Sequence, residues 1–180
     1  MLDLDALMWR LGAMKLPREF DYLEFYAGAA NLSKCMASAH YNTRSFDVLY
    51  HEQPPTRKSN FMNLCHASGF GLALLCILRC RANDFAIHLG LKCSSLCKMN
   101  RGTSRRSACA SVGYTDYPSV AVANTLIERS SLMVALTACL GGLWTVEQPG
   151  GSLLEFYPSW REIMSRLFEH GGANCVTPLF

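Results

Sequence analysis

Glu24, the small-residue run Ala27-Gly28-Ala29-Ala30 and Asp47 together describe a place where a nucleotide-like molecule can be held. The segment from Asp21 to Ser33 reads as a buried strand that ends in an acid and two aromatics, turns on small residues and enters a helix. Small residues let a backbone turn tightly and let a ligand come within contact distance of it. The helix that follows aims its unpaired N–H groups at the same spot. Asp47 sits in a second apolar run about twenty residues on, the spacing at which a carboxylate grips ribose hydroxyls. The simpler reading of Asp47, a solvated acid at a strand end, stands beside that one.

The elements that must position these residues alternate along the chain. Strands are expected over 21–27, 44–50, 84–91 and 143–147, and helices over 29–40, 64–82, 118–140 and 157–168. Pro118 opens the third of these helices and Gly141-Gly142 closes it, the usual asymmetry of proline first and glycine last. The helix over 64–82 is apolar nearly all round and is expected to be covered on more than one side. Residues 51–63, with Pro54-Pro55, form a loop, as does the long Ser-, Arg- and Gly-rich stretch 92–117. A loop of that length inside a compact domain carries function or is disordered. Strands alternating with helices imply right-handed crossovers and a mainly parallel sheet, an α/β fold with helices on both faces. Residues 20–168 form one domain, preceded by an extension over 1–19 and followed by an irregular tail over 169–180.

Composition narrows the classes. The 180 residues are 50% hydrophobic and only 17% charged, below the roughly 25% charge usual for such domains. Scarce surface charge points to faces covered by a protein partner or by a missing domain. The net charge of +3 is too small by itself to argue for nucleic acid. Arg101, Arg105 and Arg106 form one short basic cluster, read either as a phosphate contact or as a solvated loop. Nine cysteines without pairable spacing argue against a secreted disulfide framework and for a reducing, intracellular compartment. The apolar stretches 69–80 and 132–146 are too short to span a bilayer, so no membrane partner is expected.

Ligands of parallel sheets sit beyond the carboxyl ends of the strands. Each expected strand ends in reactive or polar residues: Glu24 with the Gly28 turn, Asp47, then Gly90-Leu91-Lys92-Cys93-Ser94-Ser95, then Glu147-Gln148-Pro149. Here the sequence resembles a known family. Glu24-Phe25-Tyr26-Ala27-Gly28-Ala29-Ala30-Asn31-Leu32 is similar to the first motif of S-adenosylmethionine-dependent methyltransferases, in the D-L-F-A-G-x-G-G-F form of the DNA (cytosine-5) methyltransferases. Gly90–Cys97 falls where that family has G-P-P-C-Q-x-F-S, and Val146-Glu147-Gln148-Pro149 falls where it has its E-N-V motif. The chain also resembles a set of uncharacterised dinoflagellate proteins with a C-S-S segment and a V-E-Q-P-x-x-S-L-L stretch. The resemblance covers roughly residues 20–167.

The resemblance implies a Rossmann-like methyltransferase fold lacking its C-terminal strands, with S-adenosyl-L-methionine as cofactor and a nucleic-acid base as acceptor. It implies that Glu24, Phe25, Ala27 and Gly28 line the cofactor. Asp47 would take the ribose hydroxyls, and Val48 would lie against the adenine. Cys93 would be the nucleophile that adds to carbon 6 of a pyrimidine, and Glu147 would hold the ring nitrogen. A thiolate is the attacking species, and Lys92 with the 101–106 arginines would supply a positive field for it. The sequence departs from the pattern at Leu91-Lys92, Gln148, Ala30 and Asn31, and only about thirty residues follow Glu147.

Other readings stay open at these positions. Cys93 also fits an inert buried thiol. Glu147 needs either a ligand or a cation such as Arg129 if it is buried. Cys93, Cys97 and His88 lack the second ligand pair of a zinc site, and no metal is expected. A nicotinamide-dependent oxidoreductase fits the general fold but lacks a full G-x-G-x-x-G turn. A non-catalytic module that keeps the fold is the chief alternative to an enzyme.

Overall fold

The computed structural model describes residues 16–50 and 60–169. Four short strands form its single sheet: β1 (Tyr22–Phe25), β2 (Thr43–Phe46), β3 (Ala86–Leu89) and β4 (Leu143–Val146). Their order is β2-β1-β3-β4, and every neighbouring pair is parallel. The helices are α1 (Asn31–Ser38), α2 (Ala67–Leu78), α3 (Pro118–Cys139) and α4 (Pro158–Glu169). The chain is thus α/β with an all-parallel sheet, as the alternating pattern predicts.

The register sorts side chains to two faces. Leu23 pairs with Ile87, and Ile87 with Trp144, so these three share one face. Trp144 meets Trp160 of α4 edge to face, with ring centroids 6.2 Å apart. Glu24, His88 and Thr145 lie on the other face, where the Glu24 carboxylate accepts the Ser33 N–H of α1 at 2.7 Å. Helices therefore lie on both faces, but α1 covers only the β1–β2 part of this one and leaves Leu143 and Thr145 of β4 exposed. The α2 and α4 helices both pack on α3, and the core runs between this layer and the sheet through Leu23, Phe25, Ile77, Ile87, Leu89, Ile127, Met133 and Val134. Burying such a set supplies roughly 1.5–3 kcal/mol per large side chain. Helix α2 buries Gly69, Ala73, Cys76 and Ile77 and leaves Leu75 exposed, so it is covered on fewer sides than its composition predicts.

Most boundaries are tighter than expected. The second strand stops at Phe46 instead of residue 50, because Asp47 folds its carboxylate back onto the Leu49 N–H at 2.9 Å and starts the 3₁₀ turn Val48–Tyr50. Val48 is therefore an exposed turn residue, not a strand residue. The stretch 92–117 is ordered, with a 3₁₀ turn at Lys98–Asn100 and one helical turn at Arg101–Ser104. Much of the expected loop 51–63, and the outer parts of the expected terminal segments, lie outside the described residues. No helix among the described residues is long and apolar enough to cross a membrane.

Candidate functional site at the carboxyl ends of the strands

The sheet order reverses between β1 and β3, since the chain moves outward from β1 to β2 and then crosses to β3 and β4 on the other side. That is a topological switch point, where the loops beyond two strands part and leave a crevice. The first residues past the paired rows are Asp47, Tyr26, Gly90 and Glu147, in the spatial order of the strands. At about 4.8 Å between neighbouring strands, this row spans roughly 14 Å. Gly28 and Cys93 follow within three residues of it, so all four expected site positions share one edge of the sheet.

The turn after β1 is unusual in its backbone. Tyr26, Gly28 and Ala30 all have positive φ, at 58°, 51° and 53°. For Tyr26 and Ala30 this left-handed region costs about 1–2 kcal/mol each. A Cβ added at Gly28 would meet nothing within 4 Å, so open space lies above the turn. The left-handed backbone at Tyr26 breaks the strand's alternation and turns its ring toward α3. There the phenol oxygen lies 2.9 Å from Ser130 Oγ. Burial raises the Tyr26 pKa well above the ordinary phenol value, so the hydroxyl stays a donor. Tyr26→Phe leaves buried Ser130 without this partner, and the expected loss is about 1–2 kcal/mol, read as a lower midpoint in urea unfolding.

Ala30 precedes α1 and has no side chain with which to cap it. Glu24, buried on β1, does so from the adjacent strand through the Ser33 N–H. Its carboxylate favours the positive end of the helix. Two bonds then latch the turn to the end of β2. The Gly28 N–H donates to Asp47 Oδ2 at 2.9 Å, and the Tyr50 hydroxyl donates to the Gly28 carbonyl at 2.7 Å. Gly28 and Asp47 are thus brought into direct contact. Phe25 lies wholly inside the core, stacked on Phe46 at 5.0 Å, with its carbonyl taken by the Gly90 N–H. The Ala27 N–H is bonded to the Phe46 carbonyl, and Val48 is half exposed beside Asp47.

Beyond β3, the Gly90 backbone passes so close that a Cβ there would sit 3.2 Å from the Tyr26 carbonyl oxygen. Cys93 then begins a single turn, with its carbonyl accepting from Leu96 N–H and Cys97 N–H at 2.9 Å each. The segment after β4 closes onto this loop, since Gln148 Nε2 donates to the Leu91 carbonyl at 2.6 Å and the Leu153 N–H to the Leu96 carbonyl at 3.0 Å. Gln148, at the position where the resembled motif has Asn, thus ties the Cys93 loop to the Glu147 segment.

Three expectations about charge are corrected. Glu147 is not buried: its side chain is 79% exposed, and the nearest basic side chain is His88, with Nε2 3.9 Å from Oε2. Arg129 does not meet it, being committed to the carbonyls of Leu64 and His66 and lying over the Phe70 ring. Arg106 is no phosphate contact, because it is only 1% exposed. Its guanidinium donates to the Ser111 carbonyl, to Asn124 Oδ1 at 2.7 Å and to Ser95 Oγ at 3.3 Å. Burial pushes its pKa down from the usual guanidinium value. Arg101 and Arg105 remain at the surface, with Arg105 over the Tyr114 ring.

Sequence reasoning missed Tyr26 as an anchor and Arg106 as an internal strut. No local signal in the sequence marks Arg106 as internal. Two surface grooves, of about 490 and 630 Å³, lie elsewhere, one beside Asn124, Glu128 and Tyr157 and one beside Cys109, Ser111 and Arg161. Neither is lined by Gly28, Asp47, Cys93 or Glu147. Comparison with protein-family models, with curated proteins and with solved structures gives no match.

Proposed function

We propose that the chain is a methyltransferase-like domain that binds S-adenosyl-L-methionine at the β1/β3 switch point and acts on a nucleic-acid base of the cytosine type. The observation that carries this reading is the contact between Gly28 and Asp47, which joins the ends of β1 and β2 beside the reversal of the sheet order. It brings a glycine turn with open space above it against a strand-end carboxylate, the pairing that holds a nucleoside.

The residues present fit the cofactor. The turn leaves room over Gly28, and the first-turn N–H groups of α1 point to the same edge. Asp47 has lone pairs left beyond the two it uses, enough for ribose hydroxyls. Bound there, the cofactor supplies an electrophilic methyl group. Among the chain's own groups, Cys93 would add as thiolate to carbon 6 of the base, and Glu147 would carry the proton at the ring nitrogen. The Glu147 side chain is exposed and would exchange its 3.9 Å contact with His88 for a base lying over the strand ends.

The full chain is expected to bind S-adenosylhomocysteine in titration calorimetry. Asp47→Ala should weaken it by roughly ten- to hundredfold, the equivalent of one hydrogen bond to a charged group at about 1.5–3 kcal/mol. Heat unchanged by the substitution would move the site away from Asp47. A second test is a covalent adduct between Cys93 and a 5-fluorocytosine oligonucleotide, absent in Cys93→Ser.

One observation favours a second reading, a non-catalytic binding or scaffold module. Both Asp47 oxygens already accept backbone N–H groups, from Gly28 and Leu49, which makes the residue a structural latch. Absence of heat with either S-adenosylmethionine or S-adenosylhomocysteine would select this reading.

A further inference from the structure

Two cysteine pairs share one spacing, Cys76 with Cys80 and Cys93 with Cys97, and the fold treats them in opposite ways. Cys76 and Cys80 are buried at the end of α2, where the Cys80 thiol donates to the Cys76 carbonyl. Burial, with Cys76 and Asp21 beside it, pushes the Cys80 thiol up to about 12. A thiol kept protonated and away from water neither attacks nor is oxidised. Cys93 and Cys97 are both only partly buried, with Lys92 and Lys98 at the surface on either side.

The bond from Cys97 N–H to the Cys93 carbonyl makes residues 93–97 one turn of helical pitch. Four residues of helical rise put the two Cα atoms about 6 Å apart, inside the roughly 4.4–6.8 Å range of disulfides. The Cβ atoms of such a pair stand about 5–6 Å apart and must close to roughly 3.5–4.5 Å. The chain can make that adjustment at Cys97, whose backbone is already extended (φ −70°, ψ 136°) and carries no helix onward. The interior of the turn is held independently, by Arg106 on Ser95, by Asn100 on the Ser94 carbonyl and by Leu153 on the Leu96 carbonyl. The ends can therefore draw together without loosening the loop.

We propose that Cys93 and Cys97 are an oxidation site, forming a reversible intramolecular disulfide when a hydroperoxide reaches the strand-end edge. The Cys93 thiolate attacks the peroxide, taking one oxygen as sulfenic acid and releasing the other as water or alcohol. The Cys97 thiolate then attacks the Cys93 sulfur and expels the sulfenic oxygen as water. Two thiols are oxidised, one peroxide is reduced, and the two thiol hydrogens leave in the water formed. The inference rests on the geometry of the turn and not on methyl transfer. Its consequence for the proposed site is that the oxidised form has no thiolate at Cys93.

The test uses the full chain treated with hydrogen peroxide, quenched, alkylated with iodoacetamide under denaturing conditions and digested with trypsin. Cleavage after Lys92 and Lys98 isolates both thiols in one peptide, Cys93–Lys98. The expected product is that peptide unalkylated and lighter by two hydrogens than its dithiol form, and converted to the doubly alkylated form if dithiothreitol precedes the iodoacetamide. Cys76 and Cys80 should stay fully alkylated throughout. In Cys97→Ser, dimedone should label Cys93, whereas in the unaltered chain it should label little. A doubly alkylated peptide after oxidation, a cross-link from Cys93 or Cys97 to another cysteine such as Cys109, or equal dimedone labelling of both proteins would overturn the proposal.

Discussion

Arg106→Met is expected to lower the unfolding free energy by about 3 kcal/mol, the scale on which removing one member of a buried polar cluster acts. The methionine fills most of the volume, so the cost comes from what is left behind. Asn124 Oδ1, the Ser111 carbonyl and Ser95 Oγ lose their donor in the interior, and an unsatisfied buried group costs about 1–3 kcal/mol. Relief from burying a cation works the other way. No carboxylate pairs with this guanidinium among the described ion pairs, so that relief is real, but it is smaller than the loss of several acceptors' partner. At about 2–4 °C per kcal/mol for a chain of this size, the melting midpoint should fall by roughly 6–12 °C. A single substitution that leaves the midpoint unchanged would show that the strut is dispensable.

Gly69→Ala is the second large effect. Gly69 is the third residue of α2, and a Cβ there would lie 2.2 Å from the Asn63 carbonyl oxygen and 2.8 Å from its carbon. That carbonyl cannot easily yield. It accepts the His66 N–H, while Asn63 Oδ1 holds the Cys65 N–H, and Arg129 of α3 clamps the carbonyls of Leu64 and His66. Displacing a backbone segment fixed from several sides costs about 1–3 kcal/mol, occasionally more. The gain in helix propensity, roughly 0.8–1 kcal/mol, is too small to offset it. Gly71, two residues on, has nothing within 4 Å of an added Cβ. Gly71→Ala should therefore show the propensity gain alone and raise stability by up to about 1 kcal/mol. Opposite signs from two glycines two residues apart in one helix, measured by urea unfolding, would confirm the packing argument. Equal signs would refute it.

The alternating order of strands and helices was legible because periodicity and punctuation agree over long stretches, above all from Pro118 to Gly141. The convergence of Gly28, Asp47, Cys93 and Glu147 on one edge followed from parallel topology, which puts every strand's carboxyl end on the same side. The partners of charged residues were not legible. Arg129 could be matched to Glu147 by need alone, yet it closes on carbonyls of residues 64 and 66, whose position depends on how α2 docks against α3. Arg106 looked like part of a basic surface because the 92–117 stretch has little apolar periodicity. Its order comes instead from a few long-range polar bonds, which leave no trace in local pattern. Asp47 ended its strand early through its own side chain, a short-range effect that β-branched and aromatic neighbours concealed.

Tyr26 gives the strand-end edge a mechanical link to the opposite side of the sheet. Its ring leaves the strained turn and ends against Ser130, midway along the longest helix. The turn therefore cannot be pushed or straightened without tugging on the middle of a rod that also supports two other helices. Any displacement of the rim is thereby carried to Ser130 and to the helix on which α2 and α4 pack.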